Sequence, residues 1–197
     1  MIEIYMNGQN INAQLEEEKT VGDILNSFEQ TCEENKAAVI GIILNGNQIT
    51  ADIFDEESKK PLGENDKFEF TVVTESNIKE SFENLSKLFE QLSSQMEEVP
   101  AKLQNNQKLE VTESIKTLAD SIEQFSHVAA LASLFPETFS KTEINGMDIK
   151  EFFNDFSQIL LDYENALQND DTVLIGDLSE YEICPRLKSM SESLKNI

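Results

Sequence analysis

Tryptophan is absent from this 197-residue chain, which also holds a single histidine, a single arginine, two cysteines, four prolines and seven glycines. Each scarcity narrows the chemistry. Cys32 and Cys184 lie far apart with no C-x-x-C spacing, so neither a disulfide framework nor a zinc site is expected, and both thiols read as reduced and half-buried. His127 sits in the helical run IEQFSHVAAL with no second His or Cys three or four positions away. A metal centre or a His-dependent nucleophile would have to depend on it alone. The glycines fit neither G-x-x-x-x-G-K nor G-x-G-x-x-G, so no phosphate cradle is expected. The expectation is no catalytic residue, no metal and no cofactor.

Long apolar runs and positive charge are also scarce. Nothing approaches the roughly 20 apolar residues that span a bilayer. The start, MIEIYMNGQN, lacks the basic and apolar regions of a signal peptide, which makes a cytoplasmic protein the expectation. Against 15 lysines and arginines stand 38 aspartates and glutamates, a net charge of −23. The excess is even along the chain: residues 1–75 carry 16 acidic and 5 basic side chains, residues 76–197 carry 22 and 10. Such a chain is repelled by nucleic acid and by anionic lipid, and neither is expected as a partner. The acidity either maintains solubility or receives a basic or aggregation-prone protein.

Twelve phenylalanines supply core material, and their pattern divides the chain at about residue 75. In residues 1–75, IEIYMNG alternates as a strand and ends in Asn7-Gly8, a pair that tolerates the positive φ of a tight hairpin. INAQLE (11–16) is the expected return strand. Thr20-Val21-Gly22-Asp23 reads as a capping box, opening a helix with Val21, Ile24, Leu25, Phe28 and Cys32 on one face. AVIGIILNG (38–46) is a β-branched run closed by a second Asn-Gly, and PLGENDKFEFTVV (61–73) is a turn and a strand with Phe68, Phe70 and Val72 alternating.

The order hairpin, helix, hairpin, closing strand is that of a β-grasp. The stretches TVGDILNSF and PLGENDKFEFTVV resemble the helix start and closing strand of ubiquitin-like proteins, especially the ThiS and MoaD type of sulfur carrier. That resemblance implies a β-grasp fold over residues 1–74. It departs from the carriers at their chemistry. They end in a free Gly-Gly whose carboxylate is adenylated, whereas here the strand runs into Thr74-Glu75-Ser76-Asn77 and the chain finishes Lys195-Asn196-Ile197. A binding or scaffolding domain is therefore expected, not a carrier.

Residues 76–197 show four apolar stripes in steps of four and three, the spacing of helices packed at shallow angles. The first runs Ile78, Phe82, Leu85, Phe89, Leu92, Met96 and Val99 and stops at Pro100. The second runs Val111, Ile115, Leu118, Ile122, Phe125, Ala129 and Ala132 and closes at Phe135-Pro136. The third runs Ile149, Phe153, Phe156, Leu160, Tyr163 and Leu167. The fourth begins Leu174, Leu178, Tyr181 and continues past Pro185 through Leu187, Met190 and Leu194. Pro185 predicts a kink or break, having no N–H for the helical ladder. Residues 136–148 read as a loop with a turn at Asn145-Gly146. The fold class expected is α+β, a β-grasp domain over 1–75 followed by an antiparallel four-helix bundle over 76–197. With no flexible linker between them, the two domains are expected at a fixed angle.

One segment is apolar almost all round. HVAALASLF adds Val128, Ala130, Leu131 and Leu134 to its core positions, so it is either central to the fold or an interface. In the last helix, Arg186 is expected to pair with Glu182 four residues back. The stretch around it resembles a closing segment, D-L-x-E-Y-E-x-x-P-x-L, of uncharacterised bacterial proteins of similar size, matched here by Asp177, Leu178, Glu180, Tyr181, Glu182, Pro185 and Leu187. Val128, Leu131, Leu134, Phe135, Tyr181 and Arg186 are thus the candidate protein-binding residues. The functional expectation is a non-enzymatic adaptor or chaperone-like protein, with a bacterial secretion or flagellar-export substrate as one concrete partner. The alternatives are a β-grasp-derived carrier or enzyme, and a homodimer whose second-helix patch is only its self-contact.

Overall fold

The chain folds as α+β, with a sheet in its N-terminal part and helices in its C-terminal part. The computed structural model describes residues 2–12, 18–195 and 197. They divide into two compact units, Met1–Asn77 and Ile78–Ile197.

In the first unit, β1 (Glu3–Met6) and β2 (Gln9–Ile11) form a hairpin, followed by α1 (Val21–Glu34), β3 (Ala37–Leu44), β4 (Asn47–Gln48), a short α2 (Phe54–Glu57) and β5 (Lys67–Thr74). Both hairpins turn on Asn-Gly, with φ of 50° and 80° at Asn7-Gly8 and 53° and 82° at Asn45-Gly46. Positive φ at both central residues matches the right-handed strand twist, which explains why this dipeptide is used. Of the return strand expected over 11–16, Ile11 lies in β2, and residues 13–16 fall outside the described ones.

The strands form one sheet in the order β2-β1-β5-β3-β4. β5 lies parallel to β1, pairing Ile4 with Phe68, and antiparallel to β3, pairing Leu44 with Phe68. Asn7 extends this seam, since its side-chain amide donates to the Val72 carbonyl and its side-chain oxygen accepts from the Val72 N–H. A bulge between Val39 and Gly41 breaks the β3 register and leaves Ile40 on the surface.

Alternation places Ile4, Phe68, Phe70 and Leu44 in one core with Val21, Ile24, Leu25 and Cys32 of α1. Phe28 stacks on Phe70. The helix starts at a capping box in which Thr20 accepts from the Asp23 N–H and Asp23 accepts from the Thr20 N–H. Those backbone donors, Lys19 and Thr20, hold the Asp23 carboxyl below its ordinary range. Gly22 sits where a Cβ would come 2.8 Å from the Ser58 carbonyl oxygen, so the first turn can approach that segment only without a side chain.

The second unit holds most of α3 (Glu75–Glu97), then α4 (Val99–Gln104), α5 (Lys108–Ala132), α6 (Pro136–Phe139), the strands β6 (Glu143–Ile144) and β7 (Met147–Asp148), α7 (Ile149–Gln168), α8 (Thr172–Asp177), a π-helical turn (Leu178–Ile183) and α9 (Cys184–Leu194). All seven positions of the first stripe are buried. Pro100 does not simply stop a helix. It occupies the first turn of α4, where its missing N–H costs nothing. Residues 136–148, expected as a loop, contain α6 and the β6–β7 hairpin. Phe125 of α5 joins three helices, with ring centroids 6.0 Å from Phe82, 6.1 Å from Phe89 and 5.0 Å from Phe153.

Ser86, Ser93, Ser114, Ser121, Ser179 and Ser191 are buried among these helices. Ser114 and Ser121 donate to carbonyls one turn back, and Ser86 donates across to the Ser191 carbonyl at 2.7 Å. Small hydroxyl side chains satisfied in this way let helices approach without an orphaned polar atom.

The third and fourth stripes require correction. On α7 the buried positions are Phe152, Phe156, Tyr163 and Ala166, with Phe153 half-buried. On the last helical stretch the buried positions include Ile175, Ser179, Ile183, Leu187, Met190 and Leu194, while Leu174 and Tyr181 are 41% and 64% exposed. Steps of four from 175 to 187 overshoot the 3.6-residue α-helical turn. The π turn accommodates them by bonding the Cys184 N–H to the Ser179 carbonyl, five residues back, which adds one residue to the turn. Pro185 then falls in the first turn of α9, so the disruption expected there takes the form of a π turn and a restarted helix.

Candidate functional site

The greasy end of α5 is not central to the fold. Phe125 and Ala132 are buried, Val128, Leu131 and Phe135 are half-buried, and Leu134 is 47% exposed. The helix reaches its cap at Ser133, and Pro136 restarts the chain as α6 with Phe139 turned inward, edge-on to Phe82 at 5.7 Å. Between α5, α6 and the start of α7 lies an open groove of about 490 Å³, walled by Phe125, Ala129, Ala132, Phe139, Ile149 and Phe153. Two of its hydroxyl groups are occupied locally: Ser126 donates to the Ile122 carbonyl and Ser133 to the Ala130 carbonyl. The groove therefore offers apolar surface and few oriented donors.

This groove was not visible in the sequence reading, which named neighbouring residues. Its far wall comes from residues 136–153. Pro136 followed by Phe139, and Asn145-Gly146 with φ of 54° and 74° before α7, are the signals that mark it. Val128 faces a different, smaller recess of about 270 Å³ between α3 and α5, together with Leu85, Leu88 and His127.

The second candidate segment is built differently. Arg186, with 22% of its side chain exposed, donates from Nε and Nη2 to Asp155 Oδ2 at 3.0 and 2.7 Å. Its Nη1 donates to the Glu182 carboxylate at 2.7 Å and to the Glu182 carbonyl at 3.0 Å. Glu182 is the partner the sequence pointed to, and Asp155 adds a tie to α7. The guanidinium is thus spent within the chain. Tyr181 points outward rather than inward, and the neighbouring Glu180 charge pushes its hydroxyl up.

Cys184 is buried, with Sγ 3.9 Å from Glu97 Oε2, and burial pushes its thiol up, away from the thiolate a nucleophile needs. Burial likewise raises Cys32. Tyr163 is buried against Ser179 at 3.0 Å, and desolvation raises its hydroxyl. Asp171 of the Asp170-Asp171 doublet caps α8 by accepting from the Leu174 N–H. Among the described residues, no group of three His, Cys, Asp or Glu side chains is placed to hold a metal ion, and no helix is long and apolar enough to cross a membrane.

The division into two units recurs in comparisons with known proteins. Residues 2–74 match the family described as TP0873 N-terminal domain, and residues 80–193 match a domain of unknown function, DUF8042. The chain is 20% identical over 193 residues to an uncharacterized protein of Treponema pallidum (strain Nichols), covering 98% of this chain and 96% of the relative. No solved structure matches the chain.

Proposed function

From the premise that this chain belongs to the DUF8042 family, we propose that it is a non-enzymatic, acidic protein-binding protein of the bacterial cytoplasm, an adaptor or chaperone-like component. It receives its partner on the exposed end of α5. One observation carries this reading: a chain with a net charge of −23 leaves Leu134 and an apolar groove of about 490 Å³ open at one helix end. Exposed apolar surface rimmed by polar residues marks interaction sites. The thiols raised by burial and the internally paired Arg186 support a non-catalytic reading.

The first unit is a β-grasp in this reading. The central parallel β1–β5 pair, the two flanking hairpins and α1 packed on one face support it. The second unit is a four-helix bundle of α3, α5, α7 and the 172–194 helix, supported by the contacts that Phe125, Ser86 and Ser179 make between them. An export or secretion substrate is a partner of fitting chemistry, being aggregation-prone before it is exported.

The test is affinity capture from the source cell with wild type and Leu134→Glu, each checked for an unchanged melting temperature. The reading expects a defined partner retained by wild type and lost by the variant. Equal capture by both proteins, or conversion of a dimer to a monomer with no other partner, refutes it.

A further inference from the structure

The groove at the end of α5 has a feature that its apolar walls do not explain. Within residues 120–155, the span that contributes its walls, seven side chains are acidic and two are basic; Asp148 and Lys150 line the groove itself, and Glu137, Glu143 and Glu151 directly follow lining residues. All nine are exposed: Asp120, Glu123, Glu137, Glu143, Asp148, Glu151 and Asp155 against Lys141 and Lys150. Asp155 is engaged by Arg186, and Asp148 caps α7 by accepting from the Glu151 N–H. The exposed residues that flank the apolar trough are thus predominantly acidic.

We infer that the occupant of this groove is a cationic amphipathic helix of another protein, its apolar face laid between Phe139 and Phe153 and its lysines or arginines over the acidic rim. The inference rests on the protein-binding reading above and specifies the partner's chemistry. Three observations favour it. Helix-in-groove recognition uses apolar anchors at i, i+3, i+4 and i+7, and an open trough floored by Ala129 and Ala132 leaves room for such side chains. The Ser126 and Ser133 hydroxyls already donate to their own helix and turn, so selection falls mainly to apolar shape and to the charge that flanks the groove. A second copy of this chain would bring a further −23 to the same face, which disfavours self-association there.

The probe is a synthetic peptide of roughly 18 residues, long enough for about five helical turns, with Leu and Phe on one face and Lys on the other. A twin carries Glu in place of every Lys. Both are titrated into the full chain by fluorescence anisotropy at about 50 and 500 mM salt, either side of strong screening. The Lys peptide should bind at least ~10-fold more tightly than its twin at low salt, with the ratio shrinking at high salt. Ala129→Trp, which fills the groove, and Ser126→Arg, which adds a cation at an exposed position on its wall, should each weaken the Lys peptide at least ~10-fold. The triple change Glu123→Lys, Glu137→Lys and Glu143→Lys should reduce or invert the preference.

Equal binding of the two peptides overturns the inference, as does binding that neither groove variant moves. Self-association that Ser126→Arg abolishes, with neither peptide bound, would make the occupant a second copy and also overturns it. If Leu134→Glu loses the cellular partner while both groove variants keep it, the protein-binding reading stands and this inference alone fails. If the peptide result holds but no cellular partner is captured, it is the broader reading that fails.

Discussion

The end of α5 and the stretch from 176 to 190 both attract attention in the sequence, yet the fold uses them in opposite ways. Around Arg186 the polar groups are consumed internally, by Asp155, Glu182 and the Glu182 carbonyl. Cys184, the residue most suggestive of chemistry there, is buried with its thiol raised. At the end of α5 apolar surface is left over: the helix stops at Ser133 with Leu134 exposed and the groove open beside it. Chemically varied residues close together are more readily explained as a helix junction when each finds a partner within the chain. A plain apolar segment becomes the better site when part of it is left exposed.

Substitutions sharpen this contrast, and the largest effects fall on the shared core. Phe125→Ala removes a fully buried ring that meets Phe82, Phe89 and Phe153, and should cost about 3–5 kcal/mol in urea unfolding. Ile183→Ala, at the π turn, should cost about 2–5 kcal/mol, whereas Tyr181→Ala two residues earlier should stay within about 0.5 kcal/mol. Equal costs for the two would break the assignment of the π register.

Arg186→Ala should cost about 1 kcal/mol, because its carboxylate partners are substantially exposed and water weakens the pairs. A smaller effect is expected in alkali. Burial raises the Tyr163 hydroxyl above its ordinary 10.0, so the unfolded chain loses that proton first. Its contribution is constant below that pH and declines as pH rises through and above it. The drop in urea midpoint between about pH 8 and 10.5 should be shallower in Tyr163→Phe than in wild type.

How far the sequence revealed this arrangement depended on how regular each element is. α3 is α-helical throughout, and its six stripe positions from Ile78 to Met96 are all buried. Thr20 with Asp23, and the two Asn-Gly hairpins of the first unit, were equally legible because cap and turn chemistry depends on a few adjacent side chains. The helix from 172 to 194 has the same 23-residue span as α3, but its inward face shifts by one residue at the π turn.

Tyr181 and Ile183 are both apolar enough to serve, and hydrophobic spacing alone selects Tyr181. Pro185 signalled a disruption without specifying its form. The groove's far wall was the least legible part. α6 has four residues and each strand of the β6–β7 hairpin two, too few to leave a period. What distinguished the site from the core, the exposure of Leu134 and the opening beside Ala129, is a property of packing rather than of pattern.

The most direct test compares the two surfaces in one binding experiment. Wild type, Leu134→Glu and Arg186→Ala are each titrated against the protein captured from the source cell, with melting temperatures recorded alongside. The account predicts that Leu134→Glu weakens binding at least ~10-fold with the melt unchanged, while Arg186→Ala lowers the melt and leaves binding within about twofold. Loss of binding in Arg186→Ala with full binding in Leu134→Glu would contradict it and move the site to the C-terminal helix.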